Sequence, residues 1–98
     1  MPQIIYTDNA LSDLERLRDF LRLKSPSVAE RAAIAIREAL AILKLHPEIG
    51  RTIEDMPDYF REWPINFGGS GYLARYYVNG EVIVILAIRH QKELDFNK

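Results

Sequence analysis

Apolar and polar residues alternate with two different rhythms along this chain, and the change from one to the other divides it. Ala10, Leu14, Leu17 and Leu21 recur at steps of four, three and four, the spacing that builds one apolar face on a helix. Asp13, Glu15, Arg16, Arg18, Asp19 and Arg22 are expected to fill the remainder. Thr7-Asp8-Asn9 supplies cap-forming side chains at the start of this helix, and Lys24-Ser25-Pro26-Ser27 ends it. Pro26 suits the first turn of a second helix with Ser25 as its cap; Ser27 with Glu30 is an alternative capping box. The second helix carries Val28, Ala29, Ala32, Ala33, Ala35, Ile36, Ala39, Leu40, Ile42 and Leu43, a wide arc made largely of alanine. It should stop near Leu45-His46-Pro47, because a residue before proline is pushed out of the helical region.

Beyond an irregular stretch from Glu48 to Pro57 the period shortens to two. Strands are predicted from Arg61 to Phe67, Tyr72 to Val78 and Glu81 to Ile88, and Gln3-Ile4-Ile5-Tyr6 forms a short strand before the first helix. Asn79-Gly80 is a strong hairpin signal, and Gly68-Gly69-Ser70-Gly71 reads as a flexible turn. The run Val82 to Ile88 is apolar at every position, which suits a central strand covered on both faces. The predicted order is β-α-α-β-β-β: an α+β fold with a small, mainly antiparallel twisted sheet and a helical hairpin packed on one face. Something must also shelter the other face.

Composition narrows the function. The 98 residues read as one domain over 1–98, and a domain of this size removes only about 60–65% of its unfolded surface from water. A partner that completes the core fits such a chain. There is no cysteine, which excludes a disulfide framework, thiolate metal ligands and a thiol nucleophile. No apolar run reaches membrane-spanning length, and no signal sequence opens the chain, so a cytoplasmic location and no membrane association are expected. Lys and Arg number 13 against 14 Asp and Glu, for a net charge of -1. Residues 1–50 hold 7 basic and 7 acidic side chains and residues 51–98 hold 6 and 7, so neither half is a basic arm. A protein that binds nucleic acid through phosphates usually shows a basic excess, and this balance favours a protein target.

No phosphate-binding glycine loop, dinucleotide fingerprint or His-Glu-x-x-His pattern is present. His46 and His90 stand far apart without companion acids, so no metal and no cofactor are expected. His46 suits the negative end of a helix. The remaining candidates are cations at the ends of elements: Arg51, Arg61, Arg75, Arg89, His90 and Lys92. If they converge they can hold an anion, with arginine clamping a phosphate and histidine or lysine moving protons. Ion pairing with Asp55, Asp58, Glu62 and Glu93 is the competing role. Arg75 interrupts a strand whose alternation puts Leu73, Arg75 and Tyr77 on one face and Tyr72, Ala74, Tyr76 and Val78 on the other. Tyr59, Phe60, Trp63, Phe67, Tyr72, Tyr76 and Tyr77 are dense here, suited to packing the sheet, stacking bases or anchoring a partner.

Several short runs, in this order, resemble the RelE/ParE superfamily of bacterial type II toxins over nearly the whole chain. They are Tyr6-Thr7 with Ala10 and Asp13-Leu14, then Pro47-Glu48-Ile49-Gly50-Arg51, Arg61-Glu62, Gly71-Tyr72 with Arg75-Tyr76, and Ile88-Arg89-His90-Gln91-Lys92-Glu93. The resemblance implies a growth-inhibiting toxin, of the kind that also stabilises plasmids. A cognate antitoxin would wrap it in a hetero-oligomer and connect it to operator DNA only indirectly. RelE-like members cleave mRNA on the ribosome; ParE-like members poison DNA gyrase. The nuclease pattern is incomplete: Trp63 stands near a second basic position, Leu73 follows Gly71-Tyr72 in place of arginine, and Phe96 replaces a terminal tyrosine. A ParE-like gyrase inhibitor without covalent chemistry is therefore expected, with Arg51, Arg61, Trp63, Tyr72, Arg75, Arg89, His90 and Phe96 as candidate target or antitoxin contacts. The alternative is a ribosome-dependent endoribonuclease using Arg61 and Arg75 on the scissile phosphate, His90 as acid or base and Lys92 as supporting cation. A second alternative is a degenerate toxin that only binds its antitoxin.

Overall fold

The computed structural model describes residues 2–91. Thr7 sets the first corner: its Oγ1 accepts from the Ala10 amide at 3.0 Å and donates to the Leu86 carbonyl at 3.2 Å. It thereby caps helix α1 (Asp8–Lys24), which follows strand β1 (Gln3–Tyr6), and ties this corner to Leu86 of the last strand. Ser25 serves both helices. Its amide donates to the Leu21 carbonyl, and its Oγ accepts from the Val28 amide at the start of α2 (Pro26–Leu45), with Pro26 in the first turn. This is the corner the sequence predicts, with Ser25 chosen over the Ser27 box.

Strands β2 (Arg51–Thr52), β3 (Phe60–Phe67), β4 (Ser70–Asn79) and β5 (Val82–His90) complete a five-stranded sheet in the order β1-β5-β4-β3-β2. Only the β1–β5 pair is parallel. The α+β architecture and the interior place of the last strand are as expected. Several boundaries differ. The four-residue glycine turn is a two-residue one at Gly68-Gly69, so Gly71 belongs to β4 and pairs with Asn66. The last strand runs two residues past Ile88 and includes Arg89 and His90. The irregular stretch holds the short edge strand β2, which the residues alone do not announce.

The helical hairpin covers one face of the sheet. Leu17, Ile36, Leu40 and Leu43 pack onto Ile65, Tyr72, Ala74, Tyr76, Ile83, Ile85 and Ile88, while Ala29 and Ala32 are buried small residues on α2. Trp63 adds a polar tie, donating from Nε1 to the Ala39 carbonyl at 3.0 Å. The apolar run of β5 changes face at a bulge: Arg75 pairs with Ala87 but Tyr76 pairs with Ile85, skipping Leu86. The Leu86 carbonyl is bonded instead by Thr7 and by Asn9 Nδ2 at 3.0 Å.

Asp13 corrects the helical reading. Placed with the polar remainder of α1, it is 6% exposed and lies between Ala10 and Leu17 on the inward face. β1 pairs only with Val82–Ile85, and beyond it the Ile88 amide donates to Asp13 Oδ2 at 3.0 Å. A side chain thus replaces the missing strand.

Candidate functional site

Alternation and register leave the second face of the sheet with its own set of side chains. Phe60, Glu62 and Pro64 of β3 stand beside Tyr77, Arg75 and Leu73 of β4, which stand in turn beside Val84, Ala87 and Arg89 of β5. No helix among the described residues packs on this face. Phe60, Leu73, Tyr77 and Val84 are half-buried, Pro64 is exposed, Ala87 is buried, and Ile5 at the β1 edge is 43% exposed. Tyr59, Phe60 and Tyr77 form a chain of ring contacts with centroids 5.1 and 5.4 Å apart.

Beside these rings lies a charged triplet. Glu62 offers Oε2 to Arg75 Nη2 at 3.0 Å and Oε1 to Arg51 Nε at 3.4 Å. Two guanidinium groups therefore share one carboxylate, Arg51 being mostly exposed and Arg75 largely covered. The triplet keeps one net positive charge, and the Arg51 side chain is 64% exposed. Such a face can take an acidic, partly apolar protein surface.

Arg61 and His90 lie on the other face of the sheet. Arg61 points to the helix side, where its Nη1 donates to the Glu48 carbonyl at 3.1 Å and the Gly50 carbonyl at 2.8 Å. Tyr76, on the same side and fully buried, donates from its hydroxyl to the Pro47 carbonyl at 2.7 Å and accepts from the Gly50 amide at 3.0 Å. Burial raises the Tyr76 pKa, against the lowering effects of the Gly50 amide and the Arg61 guanidinium, while Glu48 adds to the rise. Trp63 and Tyr72 also face the helices, and burial raises the Tyr72 pKa.

His90 lies on the helix side at the opposite end of the sheet. Its Nε2 is 3.0 Å from Ser70 Oγ and its ring meets Tyr72 edge-on, at the rim of a groove of about 680 Å³ shared with Arg16, Phe20 and Lys24. Arg61 pairs with Tyr76 and His90 with Tyr72, so about 13 Å of β4 separates their rows at about 3.3 Å per residue. The structure thus brings Arg51 and Arg75 together around Glu62 and leaves Arg61 and His90 apart from them. Arg89 reaches the sheet edge, its Nε 3.8 Å from Asp13 Oδ2. Lys92 and Phe96 lie outside the described residues. Among the described residues no group of three metal-ligating side chains occurs, and no helix is long and apolar enough to cross a membrane.

The roles of Glu62 and Asp13 are not apparent from single residues. Glu62 next to Arg61 reads as a local pair, yet adjacent strand residues face opposite ways, and its partners stand on the neighbouring strands.

Residues 4–95 match the sequence model described as the ParE toxin of the type II toxin-antitoxin system parDE. Two curated proteins of Caulobacter vibrioides are similar. Toxin RelE3 is 36% identical over 84 residues, covering 86% of this chain and 88% of its own length; Toxin RelE2 is 34% identical over 94 residues, covering 96% and 100%. Among solved structures, a chain of the chromosomal ParDE system from P. aeruginosa superposes with a TM-score of 0.73 at 24% identity, covering 92% of this chain and 96% of that one. A chain of the intact E. coli RelBE complex gives 0.60 at 20% identity, covering 91% and 95%. At these identities the structural likeness speaks for the fold.

Proposed function

This chain belongs to the ParE toxin family of type II toxin-antitoxin systems, and on that premise we propose that it arrests growth by binding DNA gyrase, held inactive in the cytoplasm by a cognate antitoxin. One observation carries the choice of target. Among the described residues of the open face, Arg51 and Arg75 are bridged by Glu62, and the histidine that could move a proton lies on the opposite side of the sheet. A site that cleaves RNA needs its phosphate clamp and its acid or base around one phosphate. An arginine pair tempered by a carboxylate and flanked by Tyr59, Phe60 and Tyr77 fits a protein surface better.

The test is a supercoiling and cleavage assay with purified protein and gyrase. Inhibition, or accumulation of cleaved DNA, is expected; neither at high toxin excess would refute the gyrase reading. The relatives named RelE2 and RelE3 favour a second reading, ribosome-dependent cleavage of mRNA. Translation in vitro followed by primer extension decides it: codon-positioned cuts lost in Arg75→Ala establish it, and intact message excludes it. The antitoxin reading draws on neighbours solved as toxin-antitoxin complexes. Co-expression with the partner gene should restore growth.

A further inference from the structure

The edge strand β2 pairs over two residues, Arg51 with Glu62 and Thr52 with Arg61. A ladder this short fixes little by itself. What precedes it is held from the far side of the sheet. Four main-chain groups of the turn, the carbonyls of Pro47, Glu48 and Gly50 and the amide of Gly50, are all bonded by Tyr76 and Arg61. Gly50 is pressed so close that an added Cβ would sit 2.6 Å from the Tyr76 hydroxyl and 2.7 Å from the Glu62 carbonyl oxygen. The next residue is Arg51, whose side chain passes to the open face and meets Glu62 at 3.4 Å.

We infer that Tyr76 and Arg61 are positioning residues: from the helix side they lock the Pro47–Gly50 turn and so set where Arg51 is presented to a partner on the opposite face. The two faces are coupled through a backbone segment with one allowed seat. This rests on the reading that the open face binds the target, and it gives Arg61 a role other than contact.

Two variants remove the lock without emptying the core: Tyr76→Phe keeps the ring and loses both hydrogen bonds, and Arg61→Met keeps the stem and loses both donors. The Nε–Hε NMR signal of Arg51 reports its contact with Glu62, and growth arrest on expression reports function. Each variant, with a circular-dichroism spectrum matching the parent, is expected to shift that signal toward the position it takes in Glu62→Gln. Each should also weaken arrest by about tenfold or more, the scale on which misplacing one contact group acts. Combining Tyr76→Phe with Arg51→Ala should weaken arrest no further than Arg51→Ala alone, because both act through one group. An unmoved Arg51 signal, or multiplying losses in the double variant, overturns the inference. If Arg51→Ala itself leaves arrest intact, the target-face reading fails, and the Arg51 signal alone then decides whether the lock exists.

Discussion

Asp13 and Ile88, 75 residues apart, are joined by a 3.0 Å hydrogen bond in which a helix carboxylate accepts the amide of a strand that has lost its neighbour. The amide is buried, so its acceptor cannot be replaced by water. Asp13→Ala should cost about 2–3 kcal/mol, and Asp13→Asn, which keeps an oxygen there, about 1 kcal/mol. Urea denaturation of both variants measures the difference, and equal losses would contradict the capping role.

Gly71 predicts a second stability effect. A Cβ at this position would collide with the Ile65 carbonyl oxygen across the β3–β4 ladder, whereas one at Gly69 meets nothing within 4 Å. Forcing the two strands apart should cost Gly71→Ala about 1–3 kcal/mol, the range for overpacked interiors. Gly69→Ala should stay within about 0.5 kcal/mol. Thermal melts separate them, at about 4–8 °C per kcal/mol for a domain of this size.

Alkaline stability follows from Tyr6, Tyr72 and Tyr76. Burial raises all three above the ordinary value of 10.0, although Arg37 opposes the rise at Tyr6. The folded state therefore keeps these phenol protons when the unfolded chain has begun to lose them. Their contribution is full below pH 10.0 and is lost as pH climbs through the folded values. Urea midpoints should fall above that pH, and Tyr72→Phe should make the fall shallower. A decline of unchanged steepness would remove Tyr72 as a cause.

Glu62 holds the charge of the open face down. Glu62→Gln removes the carboxylate that Arg51 and Arg75 share, raising the local charge by one. Affinity for single-stranded RNA should increase at low salt, with the slope of log K against log salt steeper by about 0.7, the value for one added phosphate contact. Fluorescence anisotropy across a salt series reads both. An unchanged slope would mean that the carboxylate does not screen the pair.

The helices and hairpins were legible in the sequence because short-range chemistry fixes them. Thr7 and Ser25 cap where their hydroxyls predict, and Gly80 adopts the positive φ of 59° that the Asn-Gly turn requires. The β5 bulge was not legible, since a run that is apolar at every position has no alternation to reveal where it changes face. Asp13 is misplaced by the apolar pattern alone, which assigns it to the polar face, because its acceptor role exists only once β1 proves too short. The candidate site was read as a set of cations. Which of them meet depends on strand facing, and one residue of separation places Arg61 and Glu62 on opposite sides of the sheet.

The interior position of β5 also governs when this protein comes into being during synthesis. β1 leaves the ribosome before the other described elements, yet its strand partner β5 is made after all of them. α1 and α2 can pair early through local contacts, whereas the sheet must wait for residues about 80 positions downstream. The open face is assembled from β3, β4 and β5 together, with Arg51 beside them. A nascent chain therefore carries no finished open face, and the interval before β5 docks is time in which a partner already in the cell can be waiting.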